Sequence, residues 1–334
     1  MTIEIHALPP PEFHRATEWQ TAPGMAAFDI DMLARHRPDI HIIATQNGRI
    51  EARCSCWWTE APRHHDAATT VIGHFEANQE TSARAVLDQA CRCARSAGSL
   101  KIIGPMDGNT WHRYRWMTRP GTEPPFMMEP VNPPMYPTWW RASGFVPLAE
   151  YQSALVTSLD RVDPRLSRVR ERFTQDGIII RPLDMSRFDE ELHRIYSVSV
   201  ASFIHNLLYT PLSENDFLSQ YVPYREKIIP EFVLLAIHNG RCVGFMFSIP
   251  DYYRLQSGLR LDTLIMKSAA ILPDRTYAGM GNVMAEMTHH IAAAKGYTRV
   301  IHALALVDNP VTNITAKYGE VMRGYTLFSR SLDT

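Results

Sequence analysis

Two glycines near the C-terminus, Gly279 and Gly281, stand between an apolar run and a pattern typical of a helix. Glycines at this spacing let the backbone approach a ligand closely, and the N–H groups of a first helical turn favour anionic oxygens. The same spacing is also common in ordinary turns that precede helices. The stretch from Ile271 to Asn282 is therefore a candidate phosphate-binding loop. How strongly this interpretation is supported depends on the elements around the stretch.

The chain has 334 residues, a net charge of −1 and an apolar content of 45%, which is typical of a globular protein with room for two domains. This near-neutral charge provides no general attraction to nucleic acid. No apolar run is long enough for a transmembrane helix and the first residues do not resemble a signal peptide, so a cytoplasmic protein is expected. Cys54, Cys56, Cys91 and Cys93 lie in apolar patterns that favour core packing over zinc, so no metal site is predicted.

The two halves of the chain repeat one order of predicted elements. Each half contains a hairpin with an Asn-Gly turn, at Asn47 and at Asn239, followed by a strand, a helix, a second strand, a short helix and a last strand. The first half begins with irregular, proline-rich sequence. The longer helices are predicted at residues 83–97, 161–175, 187–203 and 282–295, and a short one at 311–318. Internal duplication explains this order, with domains at 1–158 and 177–334 joined by a helix within 159–176.

Several motifs resemble the GNAT (Gcn5-related N-acetyltransferase) superfamily, and they occur in both halves. Leu272-Pro273 with the two glycines resembles the superfamily's loop for the pyrophosphate of acyl-CoA. The superfamily's later Asn…Tyr…Gly motif is similar to Asn309 with Lys317-Tyr318-Gly319 in the second half. In the first half it is similar to the segment from Asn132 through Gly144-Phe145. Longer phrases at 103–110, 124–128, 206–211 and 249–251 resemble a little-characterised group of tandem proteins. The resemblance implies an α/β (α+β) fold of two tandem GNAT-like domains, each a mixed, mostly antiparallel sheet flanked by helices.

The resemblance also implies a donor site in the second domain that holds a phosphopantetheine thioester. The implied residues are Ala270, Ile271, Leu272, Arg275, Thr276, Gly279, Gly281, Asn282 and Asn309. The superfamily loop usually starts with Gln or Arg where this chain has Thr276, so acyl-CoA and an acyl group on a carrier protein are both open as donors. The first domain has no glycine at 78–84 and has Glu80 at the helix start, where it would repel phosphate. No CoA binding is expected in that domain.

Acyl transfer needs a polarised carbonyl, a deprotonated nucleophile and release of the thiolate. The implied fold exposes a backbone N–H at a break in the fourth strand, expected within 268–271. His302 is the first candidate base because an imidazole titrates near neutral pH, and a satisfied core histidine is the alternative. Asp262 and Asp308 are further candidates. Tyr318 is the nearest tyrosine that could protonate the thiolate, although it also suits core packing.

Phe203, Asn206 and Tyr209 are implied to form a wall of the acceptor pocket. Segments 112–115 and 124–136 of the first half either close this pocket or form the interface between the halves. The expected reaction transfers an acyl group to an amine or hydroxyl of a small molecule, for example in secondary metabolism. The alternatives are an aminoacyl-tRNA-dependent transferase, which needs a basic face, and a ligand-binding protein without catalysis. No membrane association is expected, and the sequence specifies no oligomeric state.

Overall fold

The computed structural model describes residues 2–65, 67–307 and 317–332. The first half comprises β1 (Glu4–Leu8), β2 (Gln20–Thr21), α1 (Asp31–His36), β3 (Ile40–Gln46), β4 (Arg49–Trp57), β5 (Thr69–Ala77), α2 (Glu80–Ser96), β6 (Lys101–Gly104), β7 (Trp116–Arg119), α3 (Tyr136–Ala142) and β8 (Val146–Val156). The second half comprises α4 (Arg165–Gln175), β9 (Ile179–Pro182), α5 (Phe188–Phe203), α6 (Glu214–Tyr221), β10 (Val233–His238), β11 (Arg241–Pro250), α7 (Tyr252–Gln256), β12 (Thr263–Ile271), α8 (Met280–Ala294), β13 (Arg299–Leu306) and β14 (Glu320–Ser331).

The strands of the described residues form one 14-stranded sheet. Its main order is β1, β3, β4, β5, β6, β14, β8, β13, β12, β11, β10 and β9, while β2 pairs with β4 and β7 with β14. Within this set the pairs β2–β4, β5–β6 and β12–β13 are parallel and the others antiparallel. This mixed, mostly antiparallel sheet with flanking helices confirms the predicted fold class.

Both predicted hairpins are present. β3 and β4 are joined at Asn47, and β10 and β11 are joined at Asn239; both asparagines have positive φ, which a two-residue turn requires. The four longer predicted helices correspond to α2, α4, α5 and α8, with ends shifted by a few residues. The short helix predicted at 311–318 lies largely outside the described residues. Local turn and helix signals therefore located most of the regular elements.

The N-terminal segment is not irregular as predicted. β1 pairs antiparallel with β3 from Glu4, opposite Thr45, to Leu8, opposite His41. Five residues followed at once by prolines are too short a pattern to indicate a strand. Strand β7 and helices α6 and α7 were missed for the same reason, since each is short.

The last strands of the two halves are exchanged. β14, at the end of the chain, lies between β6 and β8, and β8 pairs on its other side with β13. The last strand of the second half, β14, thus lies beside β6 of the first half, and the last strand of the first half, β8, lies beside β13 of the second half. A strand pattern in a sequence does not name its partner, so this exchange was not predicted. The domain boundaries at residues 158 and 176 stay a prediction.

Helices pack on both faces of the second-half sheet and so position what lies between them. Phe188, Leu192 and Ile195 of α5 are buried in one core, which we call the α5 core. Val283 and Met284 of α8 are buried in another, the α8 core, together with residues of α4. Burial of these apolar side chains stabilises both helices against the sheet. None of the helices in the described part of the chain combines the length and apolar character needed to cross a lipid bilayer.

Candidate active site

Strands β12 and β13 form a fork that is open at one end. They pair in parallel from Thr263 with Arg299 to Met266 with His302, and their described pairing ends there. Beyond this point β12 continues beside β11, whereas β13 continues beside β8. The facing edges of the two strands therefore separate, and a ligand can approach their backbone groups.

A β-bulge lies at Lys267, where the fork opens. Ser248 of β11 pairs with Met266 and Phe247 pairs with Ser268, so Lys267 has no residue opposite in β11. An extra residue in one strand bends it and changes the direction of its side chains. The strand irregularity that we predicted within 268–271 is therefore present one residue earlier.

The packing of β12 confirms the bulge independently. Ile265 and Ala270 lie five residues apart, yet both are buried in the α5 core. In a regular strand, residues five apart point to opposite faces of the sheet. The extra residue brings Ala270 back to the face of Ile265, and Lys267 lines the cavity that fills the fork.

This cavity has a volume of about 630 Å3 and extends to the start of α8. Gly279 is the N-cap of α8 and has the left-handed φ of 87° that favours glycine. Its carbonyl accepts the N–H of Val283 at 3.1 Å, the first bond of the helix. The N–H groups of Met280, Gly281 and Asn282 precede that bond, and these three residues line the cavity. The cavity therefore meets the positive end of the helix dipole.

Five of the nine predicted donor-site residues line this cavity: Ala270, Ile271, Gly279, Gly281 and Asn282. Leu272, Arg275 and Thr276 do not. Leu272 packs against the two cores, Arg275 is exposed, and the N–H of Thr276 donates to Asp274 Oδ1 at 2.8 Å. Asn309 lies outside the described residues.

All three predicted acceptor residues, Phe203, Asn206 and Tyr209, line the same cavity. The first half also contributes a wall, because Trp111 and Arg115 reach it. Trp111 Nε1 donates to the carbonyl of Thr210 at 2.9 Å. Residues from both halves therefore enclose one cavity.

Arg115 is held in this wall by contacts with both halves. Its guanidinium carbon lies 3.9 Å from the ring centroid of Tyr114 and 4.1 Å from that of Tyr151. One guanidinium nitrogen donates to the carbonyl of Leu304 at 3.1 Å. Such cation–π contacts fix the guanidinium without neutralising its charge.

The loop at residues 124–136 is a packing interface rather than a wall of the cavity. Phe126 and Met127 are buried in the α5 core, and the N–H of Met127 donates to Asp251 Oδ1 at 2.9 Å. Glu129 forms an ion pair with Arg323 of β14 at 2.5 Å. Of the two readings that the sequence left open for the first-half segments, the cavity reading holds for Arg115 and the interface reading for this loop.

His302, the first candidate base, lies at the fork and lines the cavity. Its Nε2 is 2.9 Å from Nε2 of His289 on α8. Burial, and then the neighbouring His289, lowers the pKa of His302 to about 3; burial lowers the pKa of His289 to about 4. Both imidazoles are therefore neutral near pH 7, and one donates to the other.

Of the other three candidate catalytic residues, Asp308 lies outside the described residues, and Asp262 and Tyr318 do not line the cavity. Asp262 pairs with Arg254 at 3.0 Å, and its carbonyl accepts the N–H groups that lead into β13. Tyr318 donates to Glu286 at 3.3 Å, and burial raises the pKa of its hydroxyl to about 12. Glu286 in turn pairs with Arg170 at 2.6 Å. Both candidates are engaged in ion pairs or hydrogen bonds behind the site.

The cavity is cationic, a feature that sequence reasoning missed. Among the described residues that line it, Lys267 and Arg115 are the charged side chains, and none is an aspartate or glutamate. Burial lowers the pKa of Lys267 to about 8. The available signal was one lysine inside the apolar run 264–272, which we predicted only as a strand. Within the described ranges, no three His, Cys, Asp or Glu side chains are grouped to hold a metal ion, and all five cysteines are free.

The open fork, the strand bulge and a helix that starts at its mouth define the chain as having the GNAT fold, and the repeated strand order shows it in tandem. Comparison with solved structures agrees. A GCN5-related glucosamine N-acetyltransferase region of a fungal multi-domain β-N-acetylglucosaminidase is 13% identical, with a TM-score of 0.56 over 98% of this chain and 38% of that one. Eis1 of Mycobacterium abscessus is 13% identical, with a TM-score of 0.52 over 99% and 74%.

A probable N-acyltransferase of Enterococcus faecalis is 10% identical, with a TM-score of 0.57 over 99% of this chain and 73% of that one. Identities this low show the fold alone, because one fold hosts many activities. The chain spans little more than a third of the length of the fungal protein. No protein-family model matches the chain, and no curated protein sequence is similar to it.

Proposed function

We propose that the protein is an acyltransferase whose second half binds a phosphopantetheine thioester and transfers its acyl group to an amine or hydroxyl of a small molecule. One observation carries the proposal: a single cavity joins the first turn of α8, the open edges of the β12–β13 fork and the predicted acceptor residues. The helix start suits the phosphates, and the fork suits the extended pantetheine arm. The acceptor then enters from the side of Phe203, Asn206 and Tyr209.

The chemistry needs the nucleophile to form a bond to the thioester carbonyl carbon while the carbon–sulfur bond breaks and the thiolate leaves. Backbone N–H groups on the open edge of β12 are fixed donors for the carbonyl oxygen. We assign the nucleophile's proton to His302, the candidate base that lines the cavity. Burial keeps the imidazole neutral near pH 7 but also makes it a weak base. It therefore takes the proton as the new bond to the carbonyl carbon makes the nucleophile more acidic, and passes it to the leaving thiolate.

The donor remains open between acyl-CoA and an acylated carrier protein. The start of α8 offers backbone N–H groups, whereas Arg275 is exposed and does not line the cavity. A site that contacts phosphate through backbone groups alone can hold the phosphopantetheine phosphate of a carrier protein as well as the pyrophosphate of CoA. The carrier protein is therefore a proposed partner.

Calorimetric titration with acetyl-CoA and with an acetylated carrier protein tests the proposal. Gly281→Glu places a carboxylate at the start of α8 and should weaken donor binding by about tenfold or more. Ala294→Glu adds the same charge at the exposed far end of this helix and should leave the affinity unchanged.

The outcomes separate the remaining possibilities. Failure of both thioesters to bind the wild-type protein would refute the proposal. Donor binding without transfer to any amine or hydroxyl would favour the alternative of a non-catalytic binding protein. Loss of transfer in His302→Gln with donor binding unchanged would support the assigned base.

A further inference from the structure

We propose that the cavity takes a substrate that carries a carboxylate, and that Lys267, with Arg115 as the second cation, binds it. This inference rests on the proposed acyl transfer and specifies the class of substrate for the same site. The carboxylate belongs either to the acyl group, as in a dicarboxylic monothioester, or to an acceptor acid.

Lys267 is placed for a ligand rather than for the fold. The bulge puts it on the cavity wall, and among the described residues its ammonium group has neither an ion-pair nor a hydrogen-bond partner. Desolvation of an unpaired ammonium opposes folding. A bound carboxylate would provide both the opposite charge and the missing hydrogen-bond acceptors.

Arg115 strengthens the case because it adds a second cation to the same wall. Its Nε is buried and has no hydrogen-bond partner among the described residues, while Tyr114 and Tyr151 flank its guanidinium. No acidic side chain belongs to the described part of the cavity wall. The charges of both cations are therefore available to an anionic ligand.

The phosphates of the donor are not the expected partner of Lys267. Four residues of strand, roughly 13 Å, separate Lys267 from Ile271, after which the chain turns towards the start of α8. A donor whose phosphate lies at that helix start extends its neutral pantetheine arm along the fork. The group that reaches Lys267 is then the acyl chain or the acceptor.

Two arms of one binding experiment locate the carboxylate. The first compares succinyl-CoA with butyryl-CoA, which lacks the terminal carboxylate. The second compares a panel of α-amino acids with the corresponding amino-acid amides in the presence of acetyl-CoA. In one arm the wild-type protein should prefer the acid by about tenfold or more, because a charge-assisted hydrogen bond contributes that much.

Substitution of the lysine tests its role directly. Lys267→Met should abolish the preference for the acid while the affinity for acetyl-CoA stays unchanged. Lys267→Arg should retain part of the preference. The matched control is Lys295→Met, which removes an exposed lysine at the C-terminal end of α8, where it pairs with Glu231. This variant should change neither the preference for the acid nor the affinity for acetyl-CoA.

The pH dependence provides a readout that a structural role would not produce. The wild-type preference should fall between about pH 7 and about pH 9.5 as Lys267 loses its proton, and Lys267→Arg should keep its preference over that range. The other titratable groups of the described wall are Arg115, His302, Tyr114, Tyr151, Tyr209, Tyr221 and Tyr277.

Three results would overturn the inference: no acid preference in either arm, a preference that survives Lys267→Met, or a stable acyl adduct on Lys267, which would make the lysine itself the acceptor. Unchanged acetyl-CoA binding in these experiments would leave the proposed function standing. Absence of any thioester binding would instead refute the proposed function first.

Discussion

The same strand irregularity occurs in both halves of the molecule, and the two halves use it differently. In the first half a bulge at His74 and Phe75 of β5 lies opposite Cys54 of β4, as Lys267 of β12 does against β11. The imidazole of His74 has two hydrogen-bond partners, His36 at 2.9 Å and Ser55 at 3.0 Å. The ammonium group of Lys267 has none among the described residues. The bulge is therefore a structural element in one half and a candidate binding element in the other.

The fork of the first half is also closed by the chain itself. After β6, the N–H of Met106 donates to the carbonyl of Ile72 at 2.8 Å, and Asp107 Oδ1 accepts the N–H of His74 at 2.6 Å. These bonds occupy the edge of β5 that corresponds to the open edge of β12. No extended ligand arm can pair with that edge while residues 105–107 lie there.

The cavities beside the two bulges also differ in whether their cationic side chains are paired. A cavity of about 460 Å3 lies beside the first-half bulge, but its arginines are paired, Arg53 with Glu76 and Arg113 with Asp107. The second-half cavity contains two cations and no described acidic side chain. The arginines beside the first-half bulge are thus paired within the protein, whereas Lys267 and Arg115 at the second-half fork have no acidic side chain in the described cavity wall.

The largest expected effect comes from substituting Gly73, which the closed fork requires. A Cβ at this position would lie 2.2 Å from the carbonyl oxygen of Met106, a backbone atom that cannot move alone. Gly73→Ala should therefore lower the free energy of unfolding by about 3 kcal/mol. Gly244→Ala in β11 is the matched control, because its nearest contacts are at 3.0 Å or more and the first is the Met280 sulfur. Equal urea midpoints for the two variants would contradict the closed fork.

The next effect should have opposite signs in the two halves. Lys267→Met removes a half-buried cation that has no partner among the described residues, and should stabilise the protein by roughly 1–3 kcal/mol near pH 7. His74→Leu leaves groups of His36 and Ser55 without this partner and should destabilise it by about 1–3 kcal/mol. Denaturant titrations of both variants measure the signs, and a loss of stability in Lys267→Met would show that the lysine supports the fold.

The stability gained by Lys267→Met should depend on pH. The pKa of Lys267 is about 8 in the folded protein, against an ordinary value of 10.5, so between these values the unfolded chain binds the extra proton. The free energy of unfolding of the wild-type protein should therefore rise with pH between about pH 8 and about pH 10.5 as Lys267 loses its proton. The advantage of Lys267→Met should be full below about pH 8 and vanish above about pH 10.5.

The sequence predicted what local chemistry decides and missed what distant contacts decide. The turns at Asn47 and Asn239 depend on φ preferences of the residues themselves, so they could be identified. The helix after Gly279 was also predicted, but with its start at residue 282 instead of Met280. The three predicted acceptor residues, which line the cavity, followed from the resemblance to a known fold, and their role stays a prediction. The exchange of β8 and β14 depends on partners far apart in the chain, which a strand pattern does not specify.

Lys267 shows the same limit at the site. The resemblance implied a strand break within 268–271, but the position of the bulge at Lys267 is visible only when the register against β11 is known. Asp262 was a candidate because it lies at the end of a predicted strand, yet the structure places it at the closed end of the fork beside Arg254. A residue's distance from the open end could not be read from its position in the sequence.

The smallest expected effect compares the two helix starts that follow the bulged strands. At α2, Glu80 lies in the first turn, and Glu51 accepts side-chain bonds from Asn78 at 3.0 Å and Gln79 at 3.4 Å. At α8 the first turn has no acidic residue. A carboxylate in the first turn stabilises a helix by about 0.3–1 kcal/mol through the dipole.

Glu80→Gln should therefore destabilise the protein by about 0.5 kcal/mol, and Asn282→Asp should stabilise the ligand-free protein by a similar amount. The second change should also weaken acetyl-CoA binding, because the new carboxylate competes with phosphate for the same N–H groups, whereas Glu80→Gln should leave that binding unchanged. Thermal unfolding with and without acetyl-CoA measures both effects. If Asn282→Asp is stabilised but binds acetyl-CoA as tightly as the wild-type protein, the donor's phosphates lie elsewhere, because the new carboxylate would repel any anion bound at this helix start.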